Sequence, residues 1–188
     1  MKKVFIISSV VLFAACNNSG DKAKVDSMST DTTATTAAKT MPDINSPYAV
    51  VYSSKFEMGD PKNAETVLNL WKDWDNNNLA NGKNSFADTV EFNFSDGTTM
   101  RASRDSTLAV AQKIRDSQAA ITSSIDAVTS VRSTDKNENW ALVWGEERVT
   151  DKKGRKDSSA IMETWRLNKD GKVDLVYQYR KKLSSPKK

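Results

Sequence analysis

The succession of periodicities in this 188-residue chain predicts an α+β domain in which helices are segregated against an antiparallel sheet. Three observations carry that prediction. Apolar residues recur at helical spacing twice in the first half of the domain. Apolar and polar residues then alternate through several long stretches. Polar clusters rich in Asn, Asp and Gly separate those stretches where hairpin turns would fall.

The domain covers about residues 46–185 and opens with Tyr48-Ala-Val-Val-Tyr52, which reads as a short strand or a packed lead-in. A helix start follows: Asp60 can cap, Pro61 suits the first helical position and Glu65 sits early in the helix. Val67, Leu68, Trp71 and Trp74 form one apolar face, and Asp75-Asn76-Asn77-Asn78 ends the run. Residues 86–94 alternate, with Val90, Phe92 and Phe94 on one side, and Asp96-Gly97 turns the chain into Thr98-Thr99-Met100. A second helix is predicted from Ser103 or Arg104 to about Ala119. Its apolar face would be Leu108, Ala111, Ile114 and Ala119, with Arg104, Lys113 and Arg115 elsewhere.

From Ile121 onward the pattern is β. Trp140, Leu142 and Trp144 share one face after the polar turn at residues 134–139. Ile161, Glu163, Trp165 and Leu167 share the next face after Asp151-Lys152-Lys153-Gly154. Val173, Leu175, Tyr177 and Tyr179 follow the tight turn Asn168-Lys169-Asp170-Gly171 and complete the sheet.

The N-terminus is a separate problem. Lys2 and Lys3 precede an apolar run that ends in Phe13-Ala14-Ala15-Cys16, the layout of a secretory signal whose h-region is too short to span a bilayer. Residues 1–15 are therefore expected to be a signal peptide. The Ala-Ala-Cys junction resembles a bacterial lipobox, with Phe13 where that pattern prefers Leu; the resemblance implies that Cys16 is lipidated and becomes the mature N-terminus. Cys16 is the chain's only cysteine, so an exported protein that could carry disulfides has none within the chain. Residues 16–45, dominated by Ser, Thr, Ala, Asp and Lys and lacking any aromatic residue, cannot bury enough apolar surface to offset the entropy of ordering. They are expected to be a disordered tether. Asn17 rather than Asp after the cysteine favours the outer membrane, and Asn17-Asn18-Ser19-Gly20, which lacks the acidic cluster that resembles a surface-export signal, favours the periplasmic leaflet over the cell exterior. Residues 186–188 are a basic tail.

The opening strand Phe86-Ala87-Asp88-Thr89-Val90, the order of elements and the closing Asp170-Gly171-Lys172-Val173 hairpin resemble the nuclear transport factor 2-like superfamily, which includes polyketide cyclase-like (SnoaL-like) and ketosteroid isomerase-like families. The likeness covers roughly residues 60–180. It implies a cone: a curved antiparallel sheet wrapped around N-terminal helices, with a pocket at the open end and homodimers formed through the outer face of the sheet. Enzymes, ligand carriers and accessory domains all use that scaffold, so the fold does not choose among them.

Composition narrows the chemistry. The formal charge is +4, and loss of Lys2 and Lys3 with the signal leaves +2, so charge gives no case for nucleic acid as a partner. There is no histidine, which removes His-based acid–base catalysis and leaves a metal site only carboxylates to work with. The seven glycines are scattered at turns and form no phosphate cradle. No cofactor and no metal is expected.

Two carboxylates are candidate catalytic groups. Glu163, in phase with Ile161, Trp165 and Leu167, points to an apolar face, where desolvation raises a carboxyl's pKa and makes a general base or a ligand-binding acid. Its bland alternative is a cross-strand pair with Lys or Arg. Asp75, at the end of the first helix, is the other, against a plain capping role. Asp88 reads as a turn residue, and adjacent Glu146 and Glu147 face opposite ways and cannot share a proton. Trp71, Trp74, Trp144, Trp165, Tyr177 and Tyr179 are candidate pocket residues, or simply core and sheet-face rings.

The reading that follows is a membrane-anchored envelope lipoprotein whose domain binds a small apolar or aromatic ligand or a partner. Two alternatives stand beside it: an isomerase, cyclase or hydrolase using a pocket carboxylate, and a structural dimerisation module whose cone is filled by its own side chains. A dry, sealed interior would favour the last of these, and an open apolar cavity with Glu163 at its wall and a Tyr hydroxyl within hydrogen-bond reach would favour the enzyme.

Overall fold

The computed structural model describes residues 44–183. The signal peptide, Cys16, the tether up to residue 43 and the tail at 186–188 lie outside the described residues. Seven strands form one curved, mostly antiparallel sheet in the order β1-β4-β5-β6-β7-β2-β3, with two helices packed against it. This is the α+β architecture that the periodicities predict.

Residues 48–52 are neither strand nor packed lead-in: Tyr48 is 82% and Val51 95% exposed. A run of five residues with no alternation has no single face to bury, and the first strand forms later, as β1 (Phe56–Met58) on the edge of β4. Helix α1 (Pro61–Asp75) starts where its punctuation predicts. The Asp60 carboxylate accepts the Lys62 backbone N–H at 2.9 Å, and Pro61 occupies the first turn, where its missing N–H costs nothing. Its buried face holds Val67, Leu70 and Trp71, whereas Leu68 is only half-buried. Strands β2 (Phe86–Phe94) and β3 (Thr99–Ser103) form the first hairpin.

Helix α2 (Arg104–Asp116) is capped by Ser103, whose Oγ accepts the Ser106 N–H at 3.2 Å. It ends three residues before the predicted Ala119, because the chain passes directly into β4 (Gln118–Ser133). The predicted face of Leu108, Ala111 and Ile114 does line the interior, although Ile114 is 53% exposed, and Arg115, expected elsewhere, is buried as well. The cause lies in α1, whose terminal carbonyls need donors. Arg115 Nε donates to the Trp74 carbonyl at 2.7 Å and its Nη2 to the Asp75 carbonyl at 2.9 Å. One guanidinium thus closes one helix against the other.

Strands β4, β5 (Glu138–Asp151), β6 (Lys156–Leu167) and β7 (Val173–Lys182) form a continuous antiparallel meander, and β7 returns parallel to β2. The last hairpin closes as its sequence demands: the Gly171 N–H donates to the Asn168 carbonyl at 2.9 Å, with Gly171 at φ 70°, a left-handed conformation that favours glycine. Register then assigns faces. Directly paired residues share a face, so Ala141 and Val143 of β5, Glu163 and Trp165 of β6, and Val176 and Gln178 of β7 all point toward the helices. The apolar members of that set join Val67, Trp71, Phe86 and Val90 in the core.

Candidate functional site

Between the helices and the inner face of the sheet lies a partly open cavity of about 450 Å³. Among the described residues, side chains do not fill this space. The walls are mostly apolar: Leu70 and Trp71 from α1, Phe92 and Phe94 from β2, Leu108 and Ile114 from α2, and Ile161 and Trp165 from β6 all contribute. The rings brace one another, with Phe92 edge-on to Trp165 at 6.3 Å between centroids and stacked on Phe94 at 6.0 Å.

Two buried carboxylates break this apolar lining. Glu163 is 5% exposed. Its Oε2 accepts the Trp71 indole N–H at 2.7 Å and the Trp165 indole N–H at 2.9 Å, and its Oε1 accepts the Gln178 amide at 2.7 Å. Burial pushes the Glu163 carboxyl above the ordinary glutamate range, and the nearby Glu147 charge pushes the same way; the three donors oppose them without prevailing. Glu147, 4% exposed, accepts the Trp74 indole N–H at 2.7 Å and is ion-paired with Arg180. Both tryptophans of α1 therefore use their rings as wall and their N–H groups to hold a carboxylate on the sheet. They can do so because Trp71 and Trp74 are three residues apart and share a helical face.

Trp71, Trp74, Trp165 and Glu163 all line the cavity. Trp144, Tyr177 and Tyr179 do not. Trp144 pairs with Met162, and Met162 with Tyr179, while Tyr177 pairs with Thr164, which places all three rings on the face turned away from the helices. Period-two alternation groups residues onto a face but does not say which face is inside. In β7 a register shift between Val173 and Leu175 adds a second confusion: Val173 points inward and Leu175, Tyr177 and Tyr179 outward. Trp140 shares that outer face, stacked on Tyr177 at 6.4 Å and covered by the Arg166 guanidinium.

Asp75 lies outside the cavity lining. Its carboxylate accepts the backbone N–H of Ser123 at 3.0 Å and the Ser123 hydroxyl at 2.8 Å, which ties the end of α1 to β4. Asp88 is exposed on β2 beside Arg104. Glu146 faces away from Glu147 and pairs with Arg148 at 2.7 Å. The sequence did not single out Gln178, Arg180 or Thr107 as site residues. Thr107 lines the cavity at 3% exposure, and its hydroxyl has no hydrogen-bond partner among the described residues. The usable signal for Glu147, Gln178 and Arg180 was parity: each is in phase with an inward-facing residue on its own strand.

No protein-family model and no curated protein matches this chain. Solved structures do. An LEH-like epoxide hydrolase of M. tuberculosis superposes with a TM-score of 0.54 at 9% identity, covering 64% of this chain and 83% of that one. AusH from Aspergillus nidulans gives 0.53 at 12% identity, over 66% and 86% of the two chains. An NTF2-like protein of unknown function from Burkholderia pseudomallei gives 0.50 at 20% identity, over 62% and 88%. At these identities the likeness speaks for the fold alone, and the fold is the NTF2-like cone.

Proposed function

We propose that this domain is a binding module for a small, largely apolar or aromatic molecule carrying a polar group, held off an envelope membrane by a lipidated Cys16. The observation that carries the reading is the cavity itself: about 450 Å³, walled by aromatic and aliphatic side chains, with two buried carboxylates on its sheet side. That volume and that mix of wide apolar wall with few polar groups suit a small-molecule ligand. Among the described residues no tyrosine lines the cavity, so the pairing of a carboxylate base with a Tyr oxyanion donor has no second partner here. This favours binding over isomerase-type catalysis. The enzyme reading keeps one specific support, since Glu163 sits in the wall with its pKa raised.

Native mass spectrometry of the full chain extracted from its own envelope tests the proposal. The expected result is a co-purifying small molecule on the wild type that is absent from Ala111→Trp, where an indole would fill the cavity from α2. Equal ligand-free spectra for both proteins would sink the reading.

A further inference from the structure

The two buried carboxylates of the cavity are treated differently by the fold. Glu147 has a counter-charge in Arg180. Glu163, equally buried, has none: its three partners are the neutral N–H donors of Trp71, Trp165 and Gln178, and no lysine or arginine among the described residues forms an ion pair with it. All three partners donate to Glu163 in this arrangement, which suits an ionised carboxylate as acceptor. Buried charges are ordinarily paired. The hydrogen bonds are in place here, but no side chain among the described residues supplies a cation.

We infer that the ligand brings it: the cavity takes an organic cation, an ammonium group on an aromatic or bulky apolar body, with the ammonium beside Glu163. This inference rests on the binding reading above and names its ligand class. Three features support it. Three donors occupy three of the roughly four acceptor directions of a carboxylate, which leaves one on Oε1 for an N–H of the ligand. Aromatic rings including Trp165, Phe92 and Phe94 surround the apolar volume, and ring faces attract cations most strongly where water is excluded. The unpartnered Thr107 hydroxyl on α2 offers a further polar contact from another wall. The other charged side chains lining the cavity are Glu147 on β5, Arg180 on β7 and Asp73 on α1; β2, β3 and α2 contribute none. With Arg180 committed to Glu147, the remaining charge in the lining is negative.

Calorimetric titration of the full chain in nanodiscs with three water-soluble ligands of one shape tests this: 1-naphthylmethylamine, 1-naphthalenemethanol and 1-naphthoate, with empty nanodiscs as the blank. At neutral pH the amine is expected to bind at least about tenfold tighter than the alcohol, and the carboxylate weakest. In Glu163→Gln the amine-to-alcohol ratio should fall to about one. A second readout needs no variant. The wild-type ratio should shrink as pH is lowered and Glu163 protonates, while the amine stays charged. Equal binding of amine and alcohol, or a preference that survives Glu163→Gln or low pH, overturns the cation inference and leaves the binding reading standing. Failure of all three compounds to bind, in a protein shown to be folded, overturns both.

Discussion

Glu163 is the residue where stability and the proposed ligand pull in opposite directions. A carboxyl whose folded pKa lies above its unfolded value binds its proton more tightly in the native state. Native stability therefore falls as pH rises from the ordinary glutamate range through the raised pKa, and levels off above it. Removing the charge should abolish that loss. In thermal unfolding of the ligand-free protein, the melting temperature of Glu163→Gln relative to wild type should be higher at about pH 8 than at about pH 4. The carboxylates held below their usual range, such as Glu91 beside Asn93 and Arg101 and Asp105 beside Lys83, lose their contribution as pH falls. They do so equally in both proteins, so the difference isolates Glu163. A flat difference across pH would mean that burial does not penalise this charge. Only the in-phase spacing with Ile161, Trp165 and Leu167 was legible for Glu163 in the sequence. Its partners come from α1, β6 and β7, and Trp71 lies 92 residues away along the chain.

At the scale of elements, α1 and β4 both come close to the backbone of β5 at Gly145. A Cβ there would sit 2.4 Å from the Ser124 carbonyl oxygen and 3.3 Å from the Trp71 ring. The first contact is with backbone and cannot be relieved by a rotamer change. Gly145→Ala is expected to destabilise the fold by about 1–3 kcal/mol, read as a lower urea midpoint, because β4 must shift or Trp71 must withdraw. If Trp71 withdraws, the Glu163 carboxylate loses a donor as well. An unchanged midpoint would show that the approach of β4, β5 and α1 is looser than their distances indicate. Helix starts were legible at this scale, because Asp60-Pro61 and Ser103 act through bonds to neighbours two or three residues away. The end of α2 and the burial of Arg115 were not, since both depend on where the end of α1 lies in space.

Across the whole molecule, the proposed lipid at Cys16 and the proposed ligand of the cavity make one hypothesis: a binding domain kept at a membrane. Metabolic labelling with palmitate checks the anchor. Label is expected on the wild type and lost in Cys16→Ser, and an unlabelled wild type would refute lipidation. The outward aromatic face, with Trp144, Met162 and Tyr179 in register, is where sequence pattern and fold part company. These residues have the same alternation as the true cavity wall, and only the side on which the helices dock distinguishes the two.

The sequence alone determined the class of fold, the starts of both helices, the turns, and the grouping of residues onto common strand faces, because these follow from spacing, capping and backbone preference within a few residues. It also carried the export and anchoring expectation, which depends on a short contiguous signal. Tertiary structure decided which sheet face became the interior, that the interior stays open, and that Glu147 acquired a counter-charge while Glu163 acquired only neutral donors. Those outcomes depend on contacts between strands and helices far apart in the chain, and one residue of register reverses them all.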